Sequence, residues 1–118
     1  MSKQSASAVV ELPMADAVCC TPLSEAALSA EQAKDLAPAF KALGDPVRLQ
    51  LLSQIASAPS GEVCVCDLTP AYNLTGPTIS HHLKVLREAG LIDCERRGTW
   101  VYYWAIPGRM AALAHVLT

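Results

Sequence analysis

Thr78-Ile79-Ser80-His81-His82-Leu83-Lys84-Val85-Leu86-Arg87-Glu88-Ala89 is a polar stretch with an apolar seam, and it runs into Gly90. Ile79, Leu83 and Leu86 recur at i, i+4 and i+7, the spacing of one helical face. Thr75 precedes the stretch as a capping residue, and Pro77 lies in the first turn, where no intrahelical bond is lost. Gly90 suits the position just past a helix end, where a left-handed backbone is common. Two strand-like runs follow, Leu91 to Cys94 and Trp100 to Trp104, joined by Arg96-Arg97-Gly98-Thr99. A helix followed by a hairpin with a wide basic turn predicts a winged helix-turn-helix, mainly α with a small β-hairpin.

Upstream, Asn73-Leu74-Thr75-Gly76 reads as the turn of that motif, and Val63 to Ala71 as a short helix starting near Val65. Asp45-Pro46 opens another helix, with Asp as cap and Pro at the first helical position. Its core candidates are Val47, Leu49, Leu51, Leu52 and Ile55. Ser29 and Gln32 have the spacing of a capping box, and Leu36, Ala39, Phe40 and Leu43 make an apolar stripe after them. Residues 14–28 are Ala-rich and predict a short helix interrupted at Thr21-Pro22. Residues 1–13 are small and polar and read as a flexible arm. Pro107 begins a last helix on which Met110, Leu113, Ala114 and Leu117 share a face. The expected organisation is thus an arm over 1–13 and a single domain over 14–118, with dimerisation helices at both ends.

The 118 residues are 52% hydrophobic but only 5% aromatic, so Leu, Val and Ala must fill a thin core that leans on a partner subunit. Net charge is −2, so any DNA surface has to be local. Between Thr78 and Trp104, four basic residues (Lys84, Arg87, Arg96, Arg97) face three acidic ones (Glu88, Asp93, Glu95). No apolar run is long enough to span a membrane, and Met1-Ser2-Lys3-Gln4-Ser5 is not followed by a signal-like apolar segment. The expected location is the cytoplasm, where the five cysteines read as free or metal-bound thiols. A glycine-rich phosphate loop, a His-Glu-x-x-His pattern and a serine triad are all missing, so no enzyme is expected.

A helix that reads the major groove needs short polar side chains near its start and an anchored opposite face. Thr78, Ser80, His81 and Lys84 meet the first need. Thr75 and the open N–H groups of the first turn suit a phosphate, and Arg96 and Arg97 suit phosphates or the minor groove. Two short helices and a hairpin are also a common packing solution, and an Arg-Arg turn is also what a solvated loop looks like. Of His81 and His82, one is expected to face DNA and the other to pack or cap.

Cys19-Cys20 and Cys64-Val65-Cys66 are the other signal. Soft thiolates select soft ions: arsenite, antimonite, Cd(II), Pb(II) or Zn(II). Trivalent arsenic and antimony take three sulfurs in a pyramid, whereas Zn(II) takes four ligands in a tetrahedron. Cys94, inside a strand, reads as a buried small hydrophobe. A redox bridge from Cys19 or Cys20 to Cys64 is a further reading of the same thiols.

Residues Asp45 to Tyr103 resemble the bacterial arsenic- and metal-sensing family of small winged-helix repressors. The resemblance is carried by Ala42-Leu43-Gly44-Asp45-Pro46-x-Arg48, Cys64-Val65-Cys66-Asp67-Leu68, Ile79-Ser80-His81-His82-Leu83-Lys84-x-Leu86-Arg87-Glu88-Ala89-Gly90-Leu91 and Arg97-Gly98-x-Trp100-Val101-Tyr102-Tyr103. It implies a homodimer that represses an operator over its own promoter and lets go when an inducer binds. Some arsenic sensors of the family have a third cysteine where this chain has Thr69, so the third ligand is expected from the N-terminal arm. The expected site is Cys19, Cys20 and the opposite subunit's Cys64, with Cys66 in reserve. The expected inducer is As(III) or Sb(III), with Cd(II), Pb(II) or Zn(II) as alternatives. A second family site on the C-terminal helix lacks its usual residues here, where only His115 is present.

Overall fold

The computed structural model describes residues 22–118. The expected arm over 1–13, the helical reading of 14–21 and the thiols Cys19 and Cys20 lie outside the described residues. Five helices and three strands follow in order: α1 (Ala30–Leu43), α2 (Pro46–Ala56), β1 (Val63–Cys64), α3 (Val65–Leu68), α4 (Gly76–Glu88), β2 (Ile92–Arg97), β3 (Trp100–Ala105) and α5 (Pro107–Leu117). A single 3-10 turn, Thr69–Ala71, extends α3. The chain divides into two compact units, one of residues 36–107 and one that includes residues 22–35 and 108–118.

The larger unit is built on the sequence signals. Asp45 caps α2, its carboxylate accepting from Val47 N at 3.0 Å and Arg48 N at 3.1 Å. The α2 residues Leu51, Leu52 and Ile55 are buried, as expected. Leu49 is 53% exposed because it lies off the stripe that they form, and Val47 is half-buried. Ile79, Leu83 and Leu86 bury the inner face of α4, and α2 packs on α4 and on β3. Burying each of these large side chains stabilises by about 1.5–3 kcal/mol. Gly90 has φ +80°, the conformation that ends α4 and turns the chain into β2.

The sheet differs from the expected hairpin in two ways. It has a third strand, β1, in the order β1-β3-β2, with Val63 opposite Tyr103 and Cys64 opposite Tyr102. Two residues are too short for alternation to be visible in sequence. The strands β2 and β3 also run further than expected, with Arg96 opposite Val101 and Arg97 opposite Trp100. The wide basic turn is therefore a two-residue turn, Gly98-Thr99. Gly98, at φ +67°, supplies the positive φ that such tight hairpins require. Arg96 and Arg97 are strand residues.

In the smaller unit, the Ser29–Gln32 capping box forms in both directions, Ser29 N to Gln32 Oε1 at 2.9 Å and Gln32 N to Ser29 Oγ at 3.1 Å. Residues 22–28 are not helical. They make one turn, with Glu25 N bonded to Pro22 O at 3.0 Å. A cap residue needs extended backbone, so the chain must leave helical geometry before Ser29, and one turn alone does not propagate. On α5 the buried face is Ala112, Leu113 and Val116, and Leu117 is 63% exposed. The helix is therefore rotated from the face expected, because Ala112 and Val116 are equally apolar partners at i, i+4.

Candidate functional site

Two features of the larger unit carry chemistry: the polar face of α4 with the β2–β3 wing, and the thiols at the start of α3. Thr75 is the N-cap of α4, with ψ 158°, and its Oγ1 accepts from Thr78 N at 3.3 Å. The Thr75 and Thr78 hydroxyls are 2.8 Å apart. Thr75, Ser80, His81 and Lys84 are exposed, and Thr78 is half-buried. His81 and Lys84 point away from the seam of Ile79, Leu83 and Leu86, which fixes the helix from behind, with Thr78 and Ser80 on its flanks and Thr75 at its N-terminal end. A helix presented in this way offers hydroxyls, an imidazole and an ammonium to a groove.

The two histidines divide as their neighbours dictate. His81 is exposed, whereas His82 turns inward, its Nδ1 3.3 Å from Arg48 Nη1 and 4.0 Å from Asp45 Oδ2. Arg48 Nε donates to Ala42 O, near the end of α1, at 2.6 Å. The Asp45–Arg48–His82 cluster thus ties the reading helix to α2 and to the end of α1. The N–H of Arg48 holds the Asp45 carboxyl below the ordinary carboxylate range, and His82 and the Arg48 charge act in the same direction. Sequence reasoning assigned Asp45 only a capping role, because Asp45 and His82, 37 residues apart, give no local signal of contact.

In the wing, the two arginines have different surroundings. Arg97 is bidentate on Glu62, at 2.5 and 2.9 Å, and its Nε donates to Glu95 at 2.8 Å. Its guanidinium also lies 4.6 Å from the centre of the Tyr102 ring. Arg97 keeps the Glu62 carboxyl low, and the two carboxylates hold the guanidinium protonated. Arg96 is exposed and has no ion pair among the described residues.

Cys64 and Cys66 converge because they stand at a helix start rather than within a helix. Cys64 is the N-cap of α3, in extended backbone, and its Sγ accepts from Cys66 N at 3.4 Å and lies 2.6 Å from Cys66 Sγ. Cys64 is 7% exposed, and Cys66 is exposed. The hydrogen bond to Cys64 pushes the Cys66 thiol up to about 11, with burial and the Asp67 charge adding to the effect. Thr69, at the position of a third ligand, bonds Val65 O at 3.2 Å through its hydroxyl. Among the described residues no group of three or more His, Cys, Asp or Glu side chains is arranged to hold a metal ion. Cys94 is half-buried on β2, opposite Tyr103.

The capped reading helix, the helix before it and the β2–β3 wing define a winged helix-turn-helix DNA-binding protein. Residues 45–93 match the family of bacterial regulatory proteins called the arsR family. An uncharacterized HTH-type transcriptional regulator of Methanocaldococcus jannaschii is 39% identical over 80 residues, 68% of this chain and 88% of that protein. The chain belongs to the arsR family of DNA-binding transcriptional repressors.

An arsenical resistance operon repressor of Bacillus subtilis is 45% identical over 64 residues, 54% of this chain and 59% of its own. A cadmium resistance transcriptional regulatory protein CadC homolog of Staphylococcus aureus is 34% identical over 76 residues, 64% of this chain and 61% of its own. The chain thus spans about three fifths of each of these two relatives. Among solved structures, a possible transcriptional regulator for arsenical resistance is 31% identical, with a TM-score of 0.59 over 65% of this chain and 77% of that one.

Proposed function

We propose that this repressor is released from its operator when trivalent arsenic or antimony binds its cysteine thiolates. The observation that carries the reading is the convergence of the Cys64 and Cys66 thiols at the first turn of the helix leading into the reading motif. Cys19 and Cys20 supply the remaining sulfurs from the opposite subunit of a homodimer, giving a pyramid of Cys19, Cys20 and Cys64, with Cys66 in reserve. Thr75, Thr78, Ser80, His81, Lys84, Arg96 and Arg97 are the residues proposed to touch DNA. The protein acts in the cytoplasm and catalyses nothing.

Inducer binding switches occupancy only if its free energy differs between free and DNA-bound protein. Cys64 is hydrogen-bonded through β1 to β3, the second strand of the wing, and Cys66 opens the helix ahead of α4. A pull on Cys64 reaches the wing through one strand pairing, and a pull on Cys66 acts on the helix that precedes α4. Each 1.4 kcal/mol of coupling lowers operator affinity about tenfold.

A second reading is a Cd(II)- or Pb(II)-responsive repressor of the same fold, in which Cys19, Cys20, Cys64 and Cys66 all bind. The cadmium-resistance relative supports it. Titrating the reduced protein on promoter DNA with arsenite, antimonite, Cd(II), Pb(II) and Zn(II) separates the two. Release by arsenite at one ion per subunit, lost in C19S or C20S, supports the first. Release by Cd(II) or Pb(II) alone overturns it in favour of the second.

A further inference from the structure

The Arg48 side chain joins three helices through a geometry that only a neutral His82 permits. A guanidinium has donors and no acceptor. Its Nη1, 3.3 Å from His82 Nδ1, therefore needs a lone pair on that nitrogen, so the neutral ring carries its proton on Nε2. The Nε of the same guanidinium donates to Ala42 O, near the end of α1, at 2.6 Å. The fork is planar and rigid, so the two bonds are set together. One side chain thus holds the second turn of α4 against α2 and the end of α1. The His82 side chain is only 15% exposed, whereas His81 and Lys84 beside it on α4 are exposed.

Imidazole is the side chain whose charge changes between about pH 5 and about pH 8. A second proton on His82 can go only to Nδ1, where it points at a cation with no lone pair to receive it. The nearby acceptor is Asp45, its Oδ2 4.0 Å away. The Arg48 N–H holds that carboxyl low, so it stays charged across this range. The same oxygen already accepts from Val47 N and Arg48 N, and it receives the imidazolium only if the ring swings away from the guanidinium. On α4 itself the His81 ring centre lies 6.1 Å from that of His82. Lys41 of α1 and Glu88 of α4 line the cleft that Arg48 borders, and their charges offset each other. We propose that Arg48 and His82 are positioning residues for DNA recognition: their clamp holds α4 in the orientation that presents His81 and Lys84 to the groove, and protonation of His82 opens it. Operator affinity then carries a component that falls as pH falls. Protonation of the exposed His81 acts in the opposite direction, so the component is read as a difference between proteins that all keep His81.

The inference rests on α4 being the helix that meets DNA, and Lys84→Ala checks that separately. The full-length reduced protein is titrated onto a labelled promoter duplex at about pH 7.5 and about pH 5.5 and constant ionic strength, with no inducer, and read by anisotropy. His82→Asn places an amide oxygen near the position of Nδ1, an acceptor that does not titrate in this range. The ratio of His82→Asn affinity to parent affinity should rise about fivefold between the higher and the lower pH, the factor of one hydrogen bond. In the Arg48→Met background the same ratio should stay flat, because the clamp is already open. Where Arg48→Met melts below the assay temperature, Arg48→Lys serves the same cycle, since one ammonium lacks the fork that holds Ala42 O and His82 together. A flat ratio with Arg48 present, or an equal rise without it, would overturn the proposal. Unweakened binding by Lys84→Ala at both pH values would instead overturn the reading of α4 as the groove helix.

Discussion

Arg96 and Arg97 are neighbours on one strand, yet the structure gives them different surroundings, and they should therefore contribute differently to DNA binding. Arg97 already has a bidentate carboxylate and a second one at its Nε, whereas Arg96 has no ion pair among the described residues. A phosphate contact displaces condensed counterions, and each one contributes about 0.9 to the slope of log affinity against log salt. Replacing Arg96 by Gln should flatten that slope by about 0.9 per chain. Between about 50 and about 200 mM salt, that equals about a 3.5-fold smaller loss of affinity for one wing and about 12-fold for two. Arg97→Gln should change the slope by less than half as much, because its charge is already spent on Glu62 and Glu95. Glu62→Gln should steepen the slope by releasing Arg97 toward a phosphate. Anisotropy of a labelled promoter duplex, titrated with protein at four or five salt concentrations, gives all three slopes. Equal flattening by the two arginine variants, or none in Arg96→Gln, would refute the reasoning.

Leu86→Ala, which empties a fully buried position on α4, should cost about 2–5 kcal/mol, read as a lower urea midpoint with an unchanged slope. The Asp45 carboxyl is held low in the folded protein, so its contribution is complete above the ordinary carboxylate range. That contribution is lost as pH falls through the lowered value. Asp45→Asn, which keeps a capping oxygen, should therefore show a shallower loss of thermal stability between neutral and acidic pH than the parent, measured by circular dichroism melts in matched buffers. His81→Ala should weaken operator binding and leave the melting temperature within a degree or two, whereas His82→Ala should lower the melting temperature because Arg48 loses a partner. A reversal of the two histidine effects in parallel melting and anisotropy assays would show that their orientations on α4 have been misread.

The reading helix was legible because its signals are local. Thr75, Pro77, the i, i+4, i+7 seam and Gly90 each act within one or two turns, and all agree. The Ser29–Gln32 and Asp45-Pro46 starts were legible for the same reason. What the sequence hid depends on pairing across the chain. Strand β1 exists because β3 offers it an edge, and a two-residue strand has no period of its own. The pairing of Arg97's charge depends on Glu62, 35 residues earlier. The length of β2 depends on Gly98 accepting a tight turn, which moved both arginines from loop to strand. On α5, the buried pair Ala112 and Val116 was a face equal in hydrophobicity to the one expected, so periodicity alone had no means of choosing. The thiols were found from residue type and spacing, but their convergence follows from Cys64 being a cap, a matter of where α3 begins.

The shortness of β1 has a consequence for hydrogen exchange. Two residues cannot hold a strand by themselves, so Val63 and Cys64 stay paired only while β3 is intact. The amides of the β1–β3 ladder should therefore open to solvent together, as one cooperative patch rather than as independent groups. A ligand that grips Cys64 in the closed form alone would slow exchange at Tyr102 and Tyr103 as well, by the factor 1 + [L]/Kd at those sites. Amide protons on the wing would then report occupancy of the sulfurs without any label on the sulfurs themselves.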